Sequence, residues 1–180
     1  GVNNRYSFKA RHLAEGILAD EKLLSDPETG LLYRWNGKVW EKFDEDHIRR
    51  DAIKRLGNEA QKSRVEDAVF QIKMLSTIEH GRSLNDKDDW ICLNNGMLNL
   101  NSYEMTSHHP SYLCTYSLPV DFDPESKNIC HRWLRYLETN IQTPEVIAQF
   151  QEFFGYCLTK DTRYQKALFG LGHGGDGKST

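Results

Sequence analysis

Gly172-His173-Gly174-Gly175-Asp176-Gly177-Lys178-Ser179-Thr180 spells Gly-x-x-x-x-Gly-Lys-Ser, the spacing of a phosphate-binding loop. Gly172, Gly174, Gly175 and Gly177 allow tight backbone turns that aim N–H groups into a concave nest for a β-phosphate. Lys178 is placed to reach the β- and γ-phosphates, and the Ser179 hydroxyl to ligate Mg²⁺ on the nucleotide. Thr180 completes the residues assigned to ATP. A glycine-rich tail that binds nothing is the competing reading.

Such a loop needs a strand before it and a helix after it. Ala167-Leu168-Phe169-Gly170-Leu171 is an apolar run bounded by glycine, which predicts a buried strand. The 180 residues stop where the helix should begin, so the chain is expected to be a piece that ends at the start of an ATPase domain. A loop without its helix lacks the partial positive charge that faces the anion. Tight ATP binding and hydrolysis are therefore not expected of the piece itself, and no catalytic residue is assigned within it.

The elements around this loop must come from a chain with 38% hydrophobic and 27% charged residues and a net charge of −3. That balance supports a packed core and excludes an overall basic field, so any nucleic-acid contact must be local. No apolar run is long enough for a membrane span. Cys92, Cys114, Cys130 and Cys157 form no CxxC pair, which reads as reduced, mostly buried thiols. A zinc site from Cys114, Cys130, His131, His108 and His109 matches no familiar ligand spacing.

Along the chain, Ser7 can cap a helix that runs to about Asp20. Asp26-Pro27-Glu28-Thr29-Gly30 predicts a turn. Asn36-Gly37 between Leu31–Trp35 and Lys38–Phe43 predicts a hairpin with a two-residue turn, pairing Tyr33 with Trp40 on one face. That aromatic face suits either base stacking or packing on a helix.

Asp44-Glu45-Asp46 opens a helix with the stripe Ile48, Ala52, Ile53, Leu56, and Gly57 stops it. Ser63-Arg64-Val65-Glu66 has the capping-box spacing for a second helix that buries Val65, Ala68, Val69, Ile72 and Leu75. Arg49, Arg50, Lys54 and Arg55 are the local basic concentration and the first candidates for a phosphate backbone, with Tyr33 and Trp40 next. A solvated face matched by nearby carboxylates is the other possibility for those cations.

Trp90–Leu93 and Met97–Leu100 around Asn95-Gly96 predict a second hairpin, with Met105–His108 as a short third strand. Two helices follow, one begun by Pro124-Glu125 with Ile129, Trp133, Leu134 and Leu137 on its face, the other by Thr143-Pro144-Glu145. Val146, Ile147, Phe150, Phe153, Phe154 and Leu158 make the second apolar on much of its circumference, so it is expected to pack on more than one neighbour. The expected fold is α+β, mostly helical with short antiparallel hairpins, ending in the first strand and loop of an α/β ATPase.

Asn95-Gly96-Met97-Leu98-Asn99-Leu100, then Phe154-Gly155-Tyr156-Cys157-Leu158-Thr159, then Lys166-Ala167-Leu168-Phe169 and the phosphate loop occur in an order that resembles the phage/plasmid-type and poxvirus primase–helicases. The resemblance runs from about Trp35 onwards. It implies the region before a superfamily-three AAA+ helicase core, in a hexameric, ATP- and Mg²⁺-dependent DNA helicase of a phage, plasmid or integrated element. A bacterial host's cytoplasm is the implied setting. Asp176 departs from the Asn of many members. The acidic Mg²⁺ motif, sensor residues and arginine finger would lie past Thr180. The expected organisation is an N-terminal α+β domain over 1–123, a collar-like helical pair over 124–160 and the ATPase start over 161–180. Ring assembly and DNA guidance are the implied roles. The alternatives are a stand-alone winged-helix-like DNA-binding module and a truncated P-loop transferase.

Overall fold

A computed structural model of the chain describes residues 8–126, 130–141 and 143–172. Among these residues the fold is α+β, with five α-helices and two three-stranded antiparallel sheets. Helix α1 (Ala10–Asp20) starts after Lys9, and Ser7 lies outside the described residues. Strands β1 (Leu23–Ser25), β2 (Leu32–Trp35) and β3 (Trp40–Phe43) form the first sheet in chain order. The turn between β1 and β2 is built as its residues require. Asp26 accepts from Glu28 N and Thr29 Oγ1, and Gly30 takes a φ of +70°.

Helices α2 (Glu45–Leu56) and α3 (Lys62–Leu75) follow and close the first core. The Asp44 side chain accepts from Asp46 N at 3.0 Å as the α2 cap, and Gly57 ends the helix at φ +54°. Ala14 and Ile17 of α1, Ile48 and Ala52 of α2, and Val69 and Ile72 of α3 meet over Leu32 of β2. Each fully buried Ile or Leu there contributes about 1.5–3 kcal/mol. Two expectations fail on this pair. Gln61, not Ser63, precedes α3 and provides no side-chain cap. Ile53 and Leu75 are exposed, because Ile53 sits about a third of a turn and Leu75 about a fifth of a turn off the buried line of its helix, Leu75 at its last residue.

The β2–β3 hairpin keeps the expected face but not the expected register. Trp35 pairs with Trp40 and Tyr33 with Lys42. Asn36 Oδ1 accepts from both Lys38 N and Val39 N at 2.8 Å, which widens the turn to four residues. A slip of two residues preserves the face, since side chains alternate with period two. The tip of β1 also bridges in parallel to the end of α3, Ser25 opposite Thr77.

The second sheet is β4 (Trp90–Leu93), β5 (Gly96–Asn99) and β6 (Met105–Thr106). Its tight turn is Asn94-Asn95, one residue earlier than predicted, because Gly96 is already paired with Leu93. A Cβ on Gly96 would stand 2.4 Å from the Thr106 carbonyl oxygen, so β6 can lie this close only to glycine. The extended stretch after a 3₁₀ turn (Pro110–Tyr112) ties the two sheets together. Trp40 N donates to Cys114 O at 2.7 Å, and Leu118 N donates to Cys92 O at 2.8 Å.

Helix α4 (His131–Asn140) and helix α5 (Pro144–Cys157) pack on one another. Pro124 and Glu125 lie in a turn and not in α4. Leu137 is the buried residue of α4, and no described residue of α5 is buried, contrary to the expectation of several neighbours. An apolar circumference records what a helix is able to bury, and here the other elements leave much of it uncovered. The expected strand over 167–171 is likewise not formed, and Phe169 and Leu171 are 84% and 96% exposed. A strand needs a hydrogen-bonded partner, and none of the described residues lies beside this run as one.

Candidate functional site

Of the residues assigned to ATP and Mg²⁺, only Gly172 is described, and it is exposed and irregular. Gly174, Gly175, Gly177, Lys178, Ser179 and Thr180 lie outside the described residues. What leads up to the loop is visible. From the end of α5 the chain passes Lys160, whose ammonium contacts the Asn85 carbonyl and sits 3.5 Å from the Asp88 carboxylate. The approach to the loop is thus tied to the segment before the second sheet.

The basic cluster of α2 divides in two. Arg49 is held by Glu45, Asp46 and Glu66, at 2.9, 3.2 and 3.0 Å. The hydrogen bond to Glu66 raises the Arg49 pKa further above its ordinary value and holds the Glu66 carboxyl below its own. Arg55 pairs with Asp20 at 2.6 Å and Asp51 at 2.8 Å. Those two guanidiniums already hold carboxylates. Arg50 and Lys54 are exposed and carry no partner among the described residues, so they remain the cations of α2 open to a phosphate.

Tyr33 and Trp40 do share a face, but it is an interior one. They are 7% and 4% exposed and pack with Ile78 and Leu113. The Trp40 indole donates to Pro110 O at 2.9 Å. The rings are taken up by the core, because the stretch after Pro110 crosses over them, and they offer no platform for bases. The same packing leaves the hairpin without an aromatic wing.

The loop between α3 and β4 is pinned, although its residues are largely polar. Arg82 grips the Asp86 carboxylate and donates to Ser111 O at 3.0 Å. That grip holds the Asp86 carboxyl below the usual carboxylate range. Asn85 Oδ1 accepts from Thr115 N at 2.9 Å. Beneath this loop, burial pushes the Cys114 thiol up to about 11 and raises Cys92 as well. Cys114 is in the core, while Cys130 is exposed. His108 is bonded to Leu93 O and His109 to Ser111. Among the described residues no cluster of His, Cys, Asp or Glu could hold a metal, and no helix is long and apolar enough to cross a membrane.

Helix α4 holds a feature that sequence reasoning missed. Arg132 and Arg135 are exposed with no partner among the described residues, next to Trp133, which is 37% exposed. Trp133 stacks on Tyr136, with centroids 5.7 Å apart and planes 16° from parallel. The alternation of basic and aromatic residues in His131-Arg132-Trp133-Leu134-Arg135-Tyr136 is the signal that could have marked it.

A search of curated proteins found no match to the chain. A scan of family models matched the one described as D5 N terminal like over residues 8–142, three quarters of the chain and all of the fold through α4. The chain therefore belongs to the D5 N-terminal-like family, the N-terminal domain found in D5-like primase–helicase proteins of phages, plasmids and poxviruses.

Proposed function

We propose that these residues are the N-terminal and collar-like portion of an ATP-driven replicative DNA helicase, leading into its AAA+ ATPase domain. One observation carries this above the others. A D5 N-terminal-like region over 8–142 is followed on the same chain by Gly-x-x-x-x-Gly-Lys-Ser at Gly172–Ser179. Residues 1–123 form the first domain, 124–160 the collar and 161–180 the entry to the ATPase. Leu168, Phe169 and Leu171 are exposed apolar residues immediately before the loop, which suits a strand that enters a larger sheet. There Gly172, Gly174, Gly175, Gly177, Lys178 and Thr180 hold the phosphates of ATP, and Ser179 ligates its Mg²⁺.

The collar supports assembly of a ring, a hexamer in helicases of this kind, and the first domain guides DNA through Arg50 and Lys54, the cations of α2 without a partner among the described residues. The setting is the cytoplasm of a bacterial host. The test is DNA-stimulated ATP hydrolysis by the gene product that contains these residues, followed together with its assembly state. Hydrolysis stimulated by single-stranded DNA in a ring-sized particle is expected. Hydrolysis indifferent to DNA, in a particle that stays monomeric with nucleotide, would rule the proposal out.

A further inference from the structure

Seven of the ten described arginines pair with a carboxylate, from Arg11 with Glu15 to Arg163 with Asp161. Arg50, Arg132 and Arg135 are the exceptions. In a chain of net charge −3 that uses most of its guanidiniums on its own acids, two without a partner among the described residues, three positions apart on one helix, require a reason. Neither Glu138 on the same helix nor Glu145 at the start of α5 forms an ion pair with them.

Helix geometry sets what stands beside these cations. Residues three and four apart are surface neighbours, so Arg132 adjoins both Arg135 and Tyr136. Tyr136 in turn stacks on Trp133, whose far side meets Phe154 edge-on at 5.9 Å. The aromatic shelf is therefore braced from behind by α5 and flanked in front by positive charge. Tyr136 also borders an open cavity of about 540 Å³, with Phe150 and the exposed Phe169 on its other walls. A cavity of that size with aromatic walls can admit a planar base.

We propose that Arg132, Arg135, Trp133 and Tyr136 form a binding surface for single-stranded DNA on α4, with one base seated between Tyr136, Phe150 and Phe169. Guanidiniums neutralise backbone phosphates while unstacked bases lie on aromatic rings, the combination by which proteins hold single strands without reading sequence. A duplex keeps its bases stacked and offers this shelf only its phosphates. Choosing DNA as the strand rests on the helicase function proposed above.

The experiment titrates the 180-residue chain against a fluorescein-labelled 20-mer of thymidylate, reading anisotropy and tryptophan emission at several salt concentrations. Tryptophan emission should quench on binding, and a duplex competitor should be weaker than the single strand. Arg132→Ala/Arg135→Ala should weaken binding about ten-fold and flatten the salt dependence by about 1.4, at ~0.7 for each phosphate no longer neutralised. Its thermal melt should match the parent, since both side chains are exposed and have no partner among the described residues. Trp133→Phe preserves the packing on Phe154 and should abolish most of the quench. Unchanged affinity and salt slope in the double variant, or full quenching in Trp133→Phe, would overturn the proposal. So would a parent chain that binds no single strand, an outcome that leaves the ATPase proposal to be judged by the dependence of nucleotide binding on Lys178.

Discussion

Replacing Trp40 with Phe separates two accounts of the same residue. In the structure its indole is 4% exposed and donates to Pro110 O at 2.9 Å. Its own amide donates to Cys114 O, so the residue joins the first sheet to the stretch that reaches the second. Phenylalanine preserves the ring packing on Trp35, 5.6 Å away, but removes one of two donors to the Pro110 carbonyl, which keeps Leu113 N at 3.1 Å. Losing one hydrogen bond while the acceptor keeps another costs about 0.5–1.5 kcal/mol. The smaller ring adds about 1 kcal/mol at ~24 cal/mol per Å³ of residual space. Pro110 is only half-buried, so water partly replaces the lost donor and the sum falls near the lower end, about 1.5–2 kcal/mol. Urea unfolding followed by circular dichroism measures it as a lower midpoint with an unchanged slope. A loss below about 0.5 kcal/mol would refute the structural role. An unchanged midpoint together with lost DNA binding would restore Trp40 as a base-stacking residue.

The remaining expectations concern thiols, acid stability and one glycine. Cys130 and Cys157 are exposed, whereas Cys92 and Cys114 are buried with raised thiol pKa values. Alkylation at pH 8 read by mass spectrometry should modify the first pair at once and the second only after unfolding, and four equal rates would contradict this. The Arg82 hydrogen bond lowers the folded-state pKa of Asp86, so the pair's stabilisation is complete above the ordinary carboxylate value near 4 and is lost as pH falls below it. Asp86→Asn should therefore flatten the stability curve below about pH 4, and an unaltered acid limb would exclude the pair as its source. Gly96→Ala should cost about 1–3 kcal/mol by pushing its Cβ into Thr106 O and should speed amide exchange at β6, while a neutral effect would contradict the close approach.

Elements whose signals are local were legible in the sequence. Helix α2 carries its own cap at Asp44 and its own stop at Gly57, so both ends were readable. The first hairpin was readable in its face but not in its register, because the Asn36 side chain decides the loop length. Strand β1 went unread because three residues carry no period. The partners of Arg49 and Arg55 within α2, Glu45, Asp46 and Asp51, were in reach at helical spacing, but those on other elements were not. Glu66 is seventeen positions from Arg49 and Asp20 thirty-five from Arg55, so only the fold reveals these two partners and, with them, which of the four basic residues are held from two sides. Tyr33 and Trp40 show the same limit, since the segment that covers them lies some seventy residues on. The family, by contrast, was legible in the order of short landmarks, and the match over 8–142 bears it out.

Whether the chain feeds an ATP-driven motor is tested most directly at Lys178. Calorimetric titration of Mg²⁺-ATP into the gene product containing these residues should show one site per protomer with an affinity in the micromolar range or tighter. Lys178→Ala should abolish that binding and leave the thermal melt of the D5 N-terminal-like region unchanged. Nucleotide binding of equal strength in parent and variant would contradict the phosphate loop, and with it the helicase function proposed for the chain.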